Sequence, residues 1–122
     1  MRRARIYYHL SPMEGLKLID PKVPVGVSSK EARVCRVCVS SSIIGCIRGL
    51  QPIFGDQLSV YSVAVDNDTA FIPNKYVRHM VPDAHETGEA WVMESTTAYC
   101  EGRIVVTDNS GSYGWKWLEK SR

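Results

Sequence analysis

A chain of 122 residues has room for one domain and not two. At 44% hydrophobic and 23% charged residues it is too apolar for a disordered polymer and too mixed for a coiled coil. Fifteen Lys and Arg against thirteen Asp and Glu leave a net charge of +2, a field too weak to call for nucleic acid or an anionic membrane, and no apolar run approaches the roughly 20 residues that span a bilayer.

Residues 5–10, Arg-Ile-Tyr-Tyr-His-Leu, read as a strand, with Ile6, Tyr8 and Leu10 on one face and Tyr7 and His9 on the other. The basic residues before it are not followed by the apolar stretch of a signal peptide, so a cytoplasmic chain is expected. There, reduced thiols are the default for Cys35, Cys38, Cys46 and Cys100. Ser11-Pro12 ends the strand and opens a helical turn over residues 13–16, with Leu18 and Ile19 packed behind it. Residues 20–32 carry Pro21, Pro24, Gly26, Ser28 and Ser29 and read as a loop, a candidate flap over a pocket.

The β-branched run 33–39 is a strand, and Ser40, Ser41 and Ser42 lead from it into a helix over 43–50. Ile43, Ile44, Ile47 and Leu50 form that helix's apolar face, Ser40 or Ser41 is the N-cap, and Gly49 and Pro52 mark its end. Gly45 weakens the helix by about 1 kcal/mol relative to Ala, so close packing or the approach of a ligand is the reason to expect it there. Residues 57–65 form the best strand, placed centrally, and 66–68 form a turn. A short strand over 69–72 ends at Pro73, and 74–85 is irregular. The strand 87–94 sets Glu89, Trp91 and Met93 on one face and Ala90 and Val92 on the other. A final strand, 96–107, bends at Gly102 and is closed by the turn 108–111. Beyond a single domain of residues 1–111, residues 112–122 read as a polar aromatic tail with Tyr113, Trp115 and Trp117. It docks as a strap, frays, or pairs with a second subunit to make a homodimer. The expected fold class is α+β: a small mixed or antiparallel sheet with one main helix.

Several groups carry possible chemistry. Cys35-Arg-Val-Cys38 matches CxxC, but residues three apart in a strand point to opposite faces, which argues against zinc, and a redox pair of this kind needs a helix N-terminus. His79 and His85 flank a polar loop and read as solvated. His9 ends a strand at a sheet edge, where a pocket can open, against the plain alternative of a half-buried histidine. Glu89 starts an otherwise apolar strand, where a carboxylate loses hydration unless something binds it, and Gly88 beside it permits close approach; the alternative is a rim carboxylate. Ser40 to Ser42 at a helix N-terminus suit either a phosphate or a routine cap. Tyr7, Tyr8, Tyr61, Tyr76 and Trp91 are candidates for stacking on a base or for the core, and Arg33 and Arg36 for reaching a phosphate or for a solvated face.

Taken together these segments resemble an ADP-ribosyltransferase core. Tyr7-Tyr8-His9-Leu10-Ser11-Pro12 resembles the first motif of the diphtheria-toxin-type and rifampin-modifying members. The strand through Val39, the three serines and the following helix are similar to the second motif, which lines the NAD pocket. Leu58 to Val65, a Pro-containing loop and Thr87-Gly88-Glu89 are similar to the third, whose catalytic carboxylate starts a strand. The chain reads as a hybrid. No tyrosine lies between Val34 and Leu50, where histidine-type members carry one, whereas Ser40 and Ser42 fit the Ser-x-Ser of arginine-type members.

The resemblance implies NAD as substrate and Glu89 and His9 as the catalytic pair. It implies His9, Ser11, Tyr8, Ser40, Ser41, Tyr61, Trp91 and Arg36 as the groups that hold the dinucleotide. A protein, nucleic acid or small molecule would accept the ADP-ribose, as for a small bacterial or phage effector, toxin or anti-defence factor. Two further readings stand beside it: a non-enzymatic binder that sequesters a nucleotide or NAD-derived signal or occludes a host protein, and an interaction module built on the aromatic tail.

Overall fold

A computed structural model describes residues 4–24 and 34–121. In chain order the elements are β1 (Arg5–Ser11), β2 (Leu18–Ile19), β3 (Val37–Ser40), α1 (Ile43–Leu50), β4 (Gln57–Val65), β5 (Phe71–Ile72), α2 (Asn74–Val77), α3 (Ala84–Thr87), β6 (Glu89–Val92), β7 (Thr96–Thr97), β8 (Tyr99–Asn109) and β9 (Ser112–Lys120). Seven strands form one sheet in the order β5-β6-β3-β1-β4-β8-β9, while β2 and β7 form a separate two-stranded ribbon. All the strand pairings are antiparallel. The domain is thus α+β, as its patterning implies, with few and short helices. Among the described residues no helix is long and apolar enough to cross a membrane.

The alternation along β4 divides the core. Tyr61, Val63 and Val65 pack with Ile19, Val39 and Ala98 on the face that the β2–β7 ribbon covers. Leu58 and Val60 pack with Leu10, Ile104 and Val106 on the opposite face, beneath Ile47 of α1. A third cluster, Val77, Val81, Ala84 and Trp91, lies where α2 and α3 meet β6.

Helix α1 occupies the expected residues, but its N-cap is Ser42, not Ser40 or Ser41: the Ser42 hydroxyl accepts from the Gly45 amide. The helix also runs through Gly49 to a left-handed Gln51 just before Pro52. Residues 13–16 do not form a helical turn. The buried Tyr61 hydroxyl donates to the Met13 carbonyl (2.6 Å) and accepts from the Leu16 amide (3.2 Å), drawing this segment against the sheet instead. The irregular stretch 74–85 contains α2 and the start of α3. The expected final strand divides into β7 and β8, and the pairing of β8 with β4 slips between Val60 and Tyr61, beside Gly102.

The main correction concerns the C-terminal segment. Residues 112–120 are not a tail outside the domain but strand β9, paired with β8 from Asn109↔Ser112 to Gly102↔Lys120. Its aromatic residues face inward: Tyr113, Trp115 and Trp117 pack on the cluster under α1, and the Tyr113 hydroxyl donates to the Pro52 carbonyl at 2.6 Å. The turn 108–111 closes a hairpin, with Ser110 and Gly111 both at positive φ and the Asp108 carboxylate accepting from the Gly111 amide.

Candidate functional site

Strands β1 and β4 pair along their whole common length, from Arg5↔Val65 to Ser11↔Ser59. Strands β1 and β3 pair only at Tyr8↔Ser40 and then part. A cavity of about 680 Å³ opens into this parting. It is lined by His9, Leu10 and Ser11 of β1 and by the unbroken run from Arg36 to Ser40. Alternate residues of a strand point to opposite faces, so a pocket on one face of an intact sheet would meet every second residue. Contact with consecutive residues on both sides therefore places the opening between the strands. Lys22 closes the far end, exchanging two backbone hydrogen bonds with Arg36 (3.1 and 3.0 Å). Leu16, Ile19, Asp20 and Val23 build the adjoining wall. Of the expected flap over residues 20–32, only 20–24 are described, and Asp20, Lys22, Val23 and Pro24 line the cavity; the remainder of the flap, and Arg33, lie outside the described residues.

The parting brings His9 and Glu89 to one cavity although they point to opposite faces. In register His9 lies opposite Tyr61, whereas Glu89 lies opposite Ser40, which is opposite Tyr8. The His9 ring spans the gap: Nδ1 is 2.8 Å from the Cys38 carbonyl oxygen. A carbonyl only accepts, so Nδ1 carries the proton and the neutral ring keeps a lone pair on Nε2. Burial pushes His9 below its ordinary 6.5; the Cys38 hydrogen bond opposes that shift and the Lys22 charge adds to it.

This shift has a consequence for stability. The native state resists a proton that the unfolded chain accepts, so stability falls as pH drops below about 6.5, until the lower folded-state value has been passed. A His9→Gln variant, which cannot titrate, is expected to show a flatter profile over that range in urea denaturation across a pH series. Equal slopes for both proteins would refute the buried neutral ring.

Glu89 is delivered by a tight joint between α3 and β6. Gly88 sits at φ +71°, a left-handed conformation that ends α3. The Thr87 carbonyl accepts from the buried Ser40 hydroxyl at 2.7 Å, and the Asn74 side-chain amide donates to the Glu89 carbonyl at 2.8 Å and the Ala84 carbonyl at 2.9 Å. The Glu89 side chain is 16% exposed. Its Oε2 accepts from Trp91 Nε1–H at 2.6 Å and from the Cys38 thiol at 3.6 Å, and stands 4.0 Å from Arg36 Nε. Arg36 is 3% exposed, stacks 4.3 Å above the Trp91 ring and donates to the Val34 carbonyl. One carboxylate oxygen is thus held from three directions, and the side chain still lines the cavity.

Burial pushes the thiols of Cys38 and Cys46 up to about 12, the Glu89 charge adding to the effect at Cys38. Both are protonated donors at neutral pH; Cys46 Sγ donates to the Tyr8 carbonyl at 3.2 Å. A thiol reagent at pH 8 is therefore expected to modify the exposed Cys35 and Cys100 quickly and the half-buried Cys38 and Cys46 far more slowly. Fast modification at all four positions would contradict the assigned burial.

Of the nine site residues read from the sequence, the cavity gathers His9, Ser11, Arg36, Ser40 and Glu89. It does not gather Tyr8, Ser41, Tyr61 or Trp91. Tyr8 packs beneath α1, Ser41 is exposed away from the lining, Tyr61 is buried with its hydroxyl committed to residues 13 and 16, and Trp91 is buried as the partner of Glu89. Ser40 and Ser42 spend their hydroxyls within the chain, Ser40 accepting from the Ser42 amide at 3.3 Å. The serine cluster is thus a capping network rather than an open anion cradle. Cys38 and Asn74 were missed by the sequence reading. Cys38 was signalled by alternation, which sets Arg36, Cys38 and Ser40 on the Glu89 face of β3; nothing local distinguishes Asn74. No known family model matches the chain, and neither a characterised protein nor a solved structure does.

Proposed function

We propose that the β1–β3 cleft binds NAD and that the protein transfers ADP-ribose from it to a protein, nucleic acid or small-molecule acceptor. The observation that carries this reading is the opening of His9 and Glu89 on one cavity between parted strands. In the proposed step the bond between ribose C1 and the nicotinamide nitrogen breaks, and its electron pair leaves with neutral nicotinamide. The acceptor's lone pair forms the new bond to C1, and its proton passes to solvent. Positive charge gathers on the ribose as the bond lengthens, and a fixed carboxylate is the group that stabilises it. Glu89, held at Oε2, supplies that charge without having to be reoriented. His9 accepts a hydrogen bond from a ribose hydroxyl through Nε2.

The second reading is a binder that sequesters a nucleotide or NAD-derived signal in the same cleft, with His9 and Glu89 used for affinity alone; Tyr8, Tyr61 and Trp91 lie off the lining, so neither reading draws a stacking wall from these rings. One experiment separates the two. The protein is incubated with NAD while released nicotinamide and thermal stability are followed. Steady release supports transfer or hydrolysis; stabilisation without release supports the binder. Neither effect at millimolar NAD would remove NAD from the cleft.

A further inference from the structure

Cys38 touches both groups on which the cleft depends. Its backbone carbonyl accepts from His9 Nδ1 at 2.8 Å, and its thiol donates to Glu89 Oε2 at 3.6 Å. It lies on β3, between the strands that carry the other two, opposite Trp91 in the β3–β6 register. We propose that Cys38 is the positioning residue of the cleft, its carbonyl fixing the His9 tautomer and its thiol proton fixing the rotamer of Glu89. This rests on the proposed function only in the consequence for turnover; the two contacts stand without it.

The chemistry of the thiol suits the role. A serine hydroxyl has a shorter bond to Cβ and a shorter hydrogen bond, whereas sulfur reaches an acceptor 3.6 Å away from the same backbone position. Its proton stays on sulfur at neutral pH because burial and the neighbouring carboxylate both oppose the thiolate. A thiolate would repel Glu89, while a protonated thiol donates to it. The contact leaves Trp91 as the stronger donor on the same oxygen, so Cys38 adds direction rather than most of the binding energy.

The test has two arms. In the first, the S–H stretching band of Cys38 is assigned by its loss in Cys38→Ser. It is expected at lower frequency than a free thiol in the wild type and is expected to shift up in Glu89→Gln. The ring-nitrogen spectrum of His9 is expected to keep its Nδ1–H pattern in Cys38→Ala, because the carbonyl remains. In the second, Cys38→Ala is expected to lower kcat for nicotinamide release about tenfold with KM for NAD nearly unchanged. Cys38→Ser, whose hydroxyl stops short of Oε2, is expected to recover little of the loss. An S–H band indifferent to Glu89→Gln would overturn the proposal, and so would wild-type kcat in a folded Cys38→Ala variant. If the wild type releases no nicotinamide, the proposed transferase activity falls and the infrared band alone decides the role of Cys38.

Discussion

Glu89→Gln is expected to lower nicotinamide release by a factor on the order of 10² or more, with the fold retained. The substitution keeps the size of the side chain and an oxygen that accepts from Trp91 Nε1, so the joint at Gly88 and the Asn74 contacts to the backbone are preserved. What it removes is the negative charge that faces the developing cation. It also removes a carboxylate charge 4.0 Å from Nε of Arg36, a guanidinium that is 3% exposed. Stability is therefore expected to fall by about 2 kcal/mol, less than for a fully buried pair because Glu89 retains some contact with water. Nicotinamide release assayed beside urea denaturation measures both effects. Wild-type turnover in the variant would falsify the assignment of Glu89.

The second large effect lies in α1. Gly45→Ala is expected to cost roughly 3 kcal/mol, while Gly49→Ala, four residues on, is expected to gain up to about 1 kcal/mol from helix propensity. A Cβ at Gly45 would lie 2.1 Å from the Thr87 carbonyl oxygen and 2.4 Å from Ser40 Oγ, whereas at Gly49 it would meet only Thr87 Cγ2, at 3.8 Å. The Thr87 carbonyl cannot yield freely, because it accepts from the Ser40 hydroxyl and immediately precedes the turn that delivers Glu89. Gly45→Ala should therefore disturb the cleft as well as the fold, weakening any NAD-dependent thermal shift. Equal stability of the two variants would show that α1 does not pack on α3 as closely as described.

The sheet was legible where local pattern and burial agree. The β-branched run of β4 and the helix over 43–50 fall where expected, because each buries a face that its own periodicity already defines; of the helix's apolar positions Ile43, Ile44 and Ile47 pack on the core, whereas Leu50 stays exposed. The faces of β6 also agree, with Ala90 and Val92 in one cluster and Trp91 in another. Strand β9 was misread although Tyr113, Trp115 and Trp117 alternate with Gly114 and Lys116: the polar turn before it looks like the end of a domain when it is the tip of a hairpin. The site was legible only in part. Glu89 could be singled out as a carboxylate that starts a strand, whereas His9, expected to end a strand at a sheet edge, lies within β1, which runs on to Ser11 between β3 and β4. That β1 and β3 part after a single pair is a property of two distant segments, which no local pattern records. Trp91 differs: alternation already sets it on the face of Glu89, two residues away, and that local contact makes the apparent stacking ring a hydrogen-bond donor to the carboxylate.

The position of β1 in the sheet has a consequence for biosynthesis. This strand lies between β3 and β4, and its long ladder is with β4, Arg5 meeting Val65. During synthesis β1 leaves the ribosome before either of its neighbours has emerged. An aromatic, β-prone segment must then wait as a nascent chain, exposed to chaperones or to other polypeptides. Such non-local pairing belongs to the slower class of folding reactions, milliseconds to seconds for small domains. Pausing translation before β4 has emerged from the ribosome should therefore favour aggregation, and pausing it once β4 is outside should relieve it.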